Sequence, residues 1–379
     1  MKRLFTESYI NGLLLKNRFI RAATWEGLAT PEGAVTPKLI DRMVSLAKGG
    51  IGLIISSHSY ISKEGQGTPW QIGIYEDNLI DGLKDLTTEV HNNGGKIISQ
   101  LAHAGQYAET KLTKQPALSV SYVPDSHDSS FKVVSKADIT RIVFSYAAAA
   151  ERAKAAGFDG IELHSGHGYF LSQFLSPAYN QRKDEYGGSI QNRVRIHCEI
   201  LQAVRKAVGL EYPLFIKMNC ADFIDNGLDI EDSLQAARIF NEMGVNAIEV
   251  SGGIIRTGKL APSRPGINSK EKEAYFKEYA KKIKAAVNIP VILVGGIKTL
   301  DTAINIIDEE IADYISMSRA LIREPDLINR WEKGDQNKAK CKFDNLCFNP
   351  GFEGNGVYCI TQEIENKRLS AIQVKSNYS

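Results

Sequence analysis

Two histidines stand three residues apart in IELHSGHGYFLSQFLSPAYN, residues Ile161 to Asn180, and Tyr169 follows two residues after the second. The chain has 7 histidines in 379 residues, so a pair at the end of an apolar run asks for a role. Three chemistries suit His164 and His167. A zinc site needs three or four ligands and HExxH is absent, although His58 and His103 also end apolar runs and offer a third imidazole. A pair satisfied in a core is the structural alternative, but the polar and aromatic residues that follow are too many for a plain turn. The third is substrate polarisation. Two imidazole N–H groups aimed at one carbonyl oxygen stabilise the enolate formed when a nucleophile adds to a conjugated alkene. Tyr169 can then protonate the neighbouring carbon.

Other polar residues interrupt apolar runs. Lys217 lies in FIKMN, where a lysine is costly unless it meets an anion or a polar group. It suits a Schiff base, as in aldolases, or the neutralisation of an anionic cofactor ring. Gln100, in ISQLAHAG, carries an amide that both donates and accepts, which fits the edge of a heterocycle. Further on, ILVGGI places Gly295 and Gly296 at one strand end, and ISMSRALIREP places Ser318 and Arg319 at the next. Backbone N–H groups at glycines, a helix N-terminus and an arginine make an anion site, with phosphate the expected occupant.

The elements that must hold these residues are legible as eight short apolar runs: 18–24, 51–57, 96–101, 159–164, 213–219, 246–252, 290–296 and 313–318. Most are rich in Ile and Val throughout, as strands covered on both faces are. Helical patterns lie between them. Ser135 and Asp138 form a capping box with Gly157 past the helix end, Thr36-Pro37 opens a helix that Gly49 closes, and Asp229 opens one that ends near Gly244. Eight strand–helix units predict a (β/α)8 TIM barrel. An open doubly wound sheet is disfavoured by that count and by the lack of GxGxxG after the first strand. Long excursions follow the strands, not the helices, so the site belongs at the strands' C-terminal ends. The first 16 residues, with Asn11-Gly12 between apolar flanks, predict a β-hairpin before the barrel.

Composition sets limits. Lys plus Arg is 46 and Asp plus Glu is 44, a net charge of +2 with no basic stripe, so nucleic acid and anionic membrane are not expected partners. No apolar stretch has the length of a signal-peptide core or a membrane span, and a cytoplasmic location is expected. Five cysteines, an odd number, argue against a disulfide framework.

Together, LKNRFIRAAT, QLAHAGQ, IELHSGHGYFLSQFLSPAYNQRKDEYGGSIQNR, FIKMNCADF, VGGI and ISMSRALIREPDL make the chain resemble the old yellow enzyme family of FMN-dependent NAD(P)H:flavin oxidoreductases over nearly its whole length. The branch it resembles includes the barrel domains of 2,4-dienoyl-CoA reductase and trimethylamine dehydrogenase. The resemblance implies non-covalent FMN, reduction by NADH or NADPH, and hydride transfer from flavin N5 to an activated alkene. It implies that His164 and His167 hold the substrate carbonyl and that Tyr169 donates the proton. Gln100 would meet the flavin pyrimidine edge and Lys217 would lie near N1 and O2. Gly295, Gly296, Ser318 and Arg319 would cradle the phosphate, and Ala22, Ala23 and Thr24 would line the ring. A small-molecule substrate follows, and a homo-oligomer is compatible with the family. The alternatives are a flavin-free lyase or metal hydrolase built on Lys217 or the histidines, and an electron-transfer protein built on the tail cysteines.

Three departures from the family pattern stand out. Trp25 falls where many members have Cys, Thr or His beside the flavin, which makes it a substrate-pocket residue. His58 replaces a small residue, which adds a third imidazole beside the cofactor. In the tail, Cys341, Cys347 and Cys359 keep the spacing of the iron–sulfur segment of the larger relatives, but the second ligand position is Asp344. No cluster and no other metal is expected. The chain therefore divides into an FMN barrel, 1–335, and a C-terminal extension, 336–379.

Overall fold

The computed structural model describes residues 1–121, 131–255 and 257–376. Eight parallel strands close into a barrel in sequence order. They are β1 (Phe19–Arg21), β2 (Leu53–Tyr60), β3 (Ile97–Ala102), β4 (Ile161–Ser165), β5 (Leu214–Asn219), β6 (Ala247–Ser251), β7 (Val291–Val294) and β8 (Tyr314–Met317). Helices follow each strand: α1 (Pro37–Lys48), α2 (Ile80–Asn92), α3 (Lys136–Ala155), α4 (Arg195–Val208), α5 (Ile230–Glu242), α6 (Lys277–Ala286), α7 (Leu300–Asp308) and α8 (Arg319–Arg323). All eight expected strands form. The first is shorter than its apolar run, because the backbone leaves the ladder after Ala22 N–H bonds Met317 O.

The helix ends follow their local chemistry. Thr36 caps α1 with Pro37 in its first turn, Ser135 and Asp138 make a complete capping box on α3, and Asp229 caps α5. The hairpin Ser8–Ile10/Leu13–Leu15 turns at Asn11 and Gly12, both with positive φ, as a type I′ turn requires. Its Ile10, Leu13 and Leu15 pack with Ile20, Ile55, Ile98, Phe215 and Tyr314, so the hairpin plugs one end of the barrel.

Strand alternation sorts the side chains into layers. Ile161, Leu163, Ile216, Ile248 and Val250 pack outward in the large core that includes the helices. The inward residues change character along the axis. Apolar Ile98, Phe215 and Tyr314 lie at the hairpin end. Two residues on are Gln100, Glu162, Lys217, Glu249 and Ser316, all buried. Two further still, at the strands' C-terminal ends, are His164, Asn219 and Ser251. One irregularity breaks the alternation. Ile55 pairs with Ile98 but His58 pairs with Gln100, so β2 carries one extra residue there and the bulge turns His58 inward.

The segment after residue 335 packs on the barrel. Cys341 and Phe343 join the main core, while Cys347 and Val357 cluster with Trp25 and Ile322. Among the described residues no helix is long and apolar enough to cross a membrane.

Candidate active site

A cavity of about 410 Å³ opens at the C-terminal ends of the strands, within the roughly 300–1,000 Å³ range of small-molecule sites. It brings together nearly every residue singled out in the sequence. Ala22, Ala23, Thr24 and Trp25 line it from the end of β1, His58 from β2 and Gln100 from β3. His164, His167 and Tyr169 come from the β4 end, Lys217 from β5, Gly296 from the β7 end, and Ser318 and Arg319 from the β8 end. Gly295 stands one residue behind the wall.

The floor is polar and dry. Gln100 Nε2 donates to Glu162 Oε2 at 2.6 Å, and Ser316 Oγ donates to Glu249 Oε1 at 2.6 Å. Lys217 Nζ lies 3.0 Å from Glu249 Oε2. Two carboxyls therefore face one ammonium in a layer closed to water. Burial, then the negative charge of Glu249, raises the Glu162 pKa well above its ordinary value. That shift favours the protonated form of Glu162, while Lys217 pairs with Glu249. Sequence reasoning flagged Lys217 and Gln100 but missed both glutamates, although a Glu inside IELH or AIEVS is as anomalous as a Lys inside FIKMN.

At the mouth, three rings and a phenol crowd together. The His164 ring centroid lies 5.0 Å from His167 and 5.0 Å from Tyr169, and His58 lies 5.7 Å from Tyr169. His167 has φ 64°, the left-handed region, held by its N–H to Asn219 Oδ1 at 3.0 Å; its Nε2 meets Ser251 Oγ at 2.8 Å. His164 Nδ1 is buried with no hydrogen-bond partner in the protein. Burial holds both imidazoles far below the usual histidine pKa; the His167 charge adds at His164, and the Lys217 charge adds at both. They are neutral donor–acceptors at pH 7. Burial pushes the Tyr169 phenol up to about 12, so it keeps its proton.

The far wall suits an anion. Gly295 (φ 141°) and Gly296 (φ 70°) have backbones that side chains rarely adopt, and a Cβ on Gly296 would come within 2.8 Å of the Tyr275 ring. Thr24 Oγ1 and Ser318 Oγ lie 2.8 Å apart. The Arg319 guanidinium is aimed by Asn345 Oδ1 at 2.7 Å and by Arg264 O at 2.8 Å, and it stacks on Phe343 at 4.6 Å. The α8 helix has five residues, so arginine and loop N–H groups, more than a helix terminus, carry the attraction. The sequence gave no sign that the tail completes this wall with Phe343, Asn345 and Phe348.

These features fit FMN. An unpartnered imidazole nitrogen, an amide and an ammonium face the space, and an arginine stands beside glycines at its end. The tail does not offer four ligands for an iron–sulfur cluster. Both Asp344 oxygens are engaged, Oδ1 by Leu346 N–H at 3.2 Å and Oδ2 by Thr361 Oγ1 at 2.6 Å. Burial raises the Cys341 and Cys347 thiols, the latter to about 12. Among the described residues no group of three or more His, Cys, Asp or Glu is disposed to hold a metal. Trp25 reaches the cavity edge, but its indole packs on Phe352 at 4.5 Å and donates to Pro69 O at 3.0 Å.

Comparison with known proteins agrees with the geometry. A family model described as NADH:flavin oxidoreductase / NADH oxidase family matches residues 3–338. The chain is 36% identical over 350 residues to an NADH oxidase of Thermoanaerobacter brockii, covering 90% of this chain but 53% of that protein. It thus spans about half the length of that relative. It is 35% identical over 326 residues to an NADPH dehydrogenase of Bacillus licheniformis, covering 86% of this chain and 92% of the relative. The solved structure of an old yellow enzyme homologue from Zymomonas mobilis superposes with a TM-score of 0.75 at 25% identity, covering 92% and 98% of the two chains. The chain belongs to the NADH:flavin oxidoreductase / NADH oxidase family, whose cofactors are FMN and NAD(P)H.

Proposed function

We propose that the protein is an FMN-dependent NAD(P)H oxidoreductase that reduces the activated C=C bond of α,β-unsaturated carbonyl compounds. The observation that carries this reading is the convergence of two neutral imidazoles and one protonated phenol at the mouth of a cavity with a Gln100–Lys217 floor.

FMN, when bound, would supply the hydride chemistry that links NAD(P)H to the alkene. This chain's residues do the rest. Gln100 would hold the isoalloxazine by its pyrimidine edge, and Lys217 would set a positive charge beside that ring. Gly295, Gly296, Ser318 and Arg319 would hold the phosphate, and Ala22, Ala23 and Thr24 would flank the ring. His164 and His167 donate N–H groups to the substrate carbonyl oxygen. As neutral donors they polarise it without surrendering a proton, and in a site with little water such donors act at full strength. Tyr169 gives its phenolic proton to the carbon next to the carbonyl.

The test separates the two half-reactions in the FMN-loaded protein. Tyr169→Phe should slow reoxidation by a cyclic enone roughly 10²-fold, the usual contribution of a positioned acid, and change reduction by NAD(P)H far less. Equal losses in both would remove Tyr169 from the proton-donor role.

A further inference from the structure

β2 contains one more residue than its neighbour between Ile55 and His58, and this bulge brings His58 into the cavity. Without it, strict alternation would turn Ser57 inward and His58 away. The imidazole arrives beside Tyr169: His58 Nε2 is 3.5 Å from Tyr169 Oη. The strand end is clamped there. Gln71 Nε2 donates to His58 O at 3.1 Å, and Gln71 Oε1 accepts from Gly67 N at 2.9 Å and Thr68 N at 3.2 Å. Gly67 also lies against the phenol, since a Cβ there would sit 2.9 Å from Tyr169 Oη. The hydroxyl thus has a glycine backbone and one imidazole as close neighbours.

We propose that His58 is a positioning residue for the acid step: it aligns the Tyr169 hydroxyl and stabilises and reprotonates the phenolate left after Tyr169 has protonated the substrate carbon. The inference rests on the proton-donor reading of Tyr169. A buried phenolate is costly, as the raised phenol pKa shows, and an N–H directed at its oxygen offsets that cost. In its Nε2–H tautomer the neutral His58 ring is such a donor; burial and then the Lys217 charge bring its pKa to about 4. The step balances without a second redox partner. The phenol O–H proton goes to carbon. His58 then gives its Nε2 proton to the phenolate oxygen as Nδ1 takes one from water, to which the partly buried residue is accessible, and exchange with water restores the Nε2–H tautomer. The net change is one proton from solvent to substrate, and His58 carries no electrons. A separation of 3.5 Å is long for this contact, but catalytic hydrogen bonds commonly tighten when substrate binds.

The experiment uses the full FMN-loaded chain, reduced anaerobically, and compares reoxidation by a cyclic enone with reoxidation by ferricyanide, which takes electrons and needs no carbon protonation. His58→Ala should lower the enone rate about 10-fold more than the ferricyanide rate, the low end of general-acid effects. His58→Phe fills the ring's volume without an N–H and should give the same split if the alanine variant fails to retain FMN. His58→Gln restores an N–H and should recover part of the enone rate. In a Tyr169→Phe background His58→Ala should cause no further selective loss. Equal losses with both acceptors, or an undiminished effect in that background, would show that His58 only shapes the cavity and would overturn the inference. If Tyr169→Phe itself spares the enone rate, the proton-donor reading fails first and takes this one with it.

Discussion

Lys217 on β5 and Glu249 on β6 form a buried ion pair at 3.0 Å, and the protonated Glu162 on β4 lies beside it. One ammonium thus faces two carboxyls, and burial favours the protonated form of Glu162. The glutamates should therefore respond differently to the same substitution. Glu162→Gln replaces a neutral acid by a neutral amide and should change stability little at low pH. Glu249→Gln strands the Lys217 charge and should cost about 3–5 kcal/mol. Urea unfolding of the two variants measures this; equal costs would mean that the proton is not on Glu162.

The same assignment fixes a pH dependence. Glu162 has a raised pKa in the folded state, so between its ordinary value of 4.5 and its folded value the native protein binds more protons than the unfolded chain. Stability from this group is full below 4.5 and declines as pH rises toward the folded value. Glu162→Gln removes the group and should flatten that decline. Its advantage over the parent should grow as pH rises above 4.5, and a constant difference across that window would contradict the assignment.

His164 Nδ1 has no partner in the protein, so a ligand oxygen is its natural complement. His164→Ala should weaken binding of a phenolic ligand about 10-fold, the value of one hydrogen bond of roughly 1.4 kcal/mol. Titration of the flavin absorbance with a phenol reads the affinity. An unchanged dissociation constant would take His164 out of the carbonyl clamp.

The phosphate wall depends on Gly296, where φ is 70° and a Cβ would meet the Tyr275 ring. Gly296→Ala imposes a left-handed backbone that costs about 1–2 kcal/mol and pushes the wall inward. FMN retention should fall about 10-fold or more, read as flavin fluorescence appearing in the filtrate after dilution. Full occupancy would place the phosphate elsewhere.

Much of this site was legible in the sequence because parallel barrel strands are buried on both faces. A polar residue in such a strand stands out, which is how Lys217 and Gln100 could be singled out. Glu162 and Glu249 obey the same logic, each a carboxylate inside an apolar strand run. Two features had no local signal. The extra residue in β2 is set by pairing with β3, and Ser56-Ser57 does not announce a bulge. The tail's part in the cavity depends on Phe343 and Asn345 meeting Arg319, a contact between distant parts of the chain. Trp25, expected in the substrate pocket, lines the cavity and also packs its ring on Phe352, a contact with the tail that has no local signal.

The central claim is most directly tested by mixing the purified protein anaerobically with NADH or NADPH, then with a cyclic enone, while recording the visible spectrum and analysing the product. The account predicts a flavin absorbance that bleaches with the nicotinamide, returns with the enone, and yields the saturated ketone in equal amount, with FMN released on denaturation. A flavin that bleaches but is not reoxidised by the enone would leave the family assignment standing and contradict the proposed reaction.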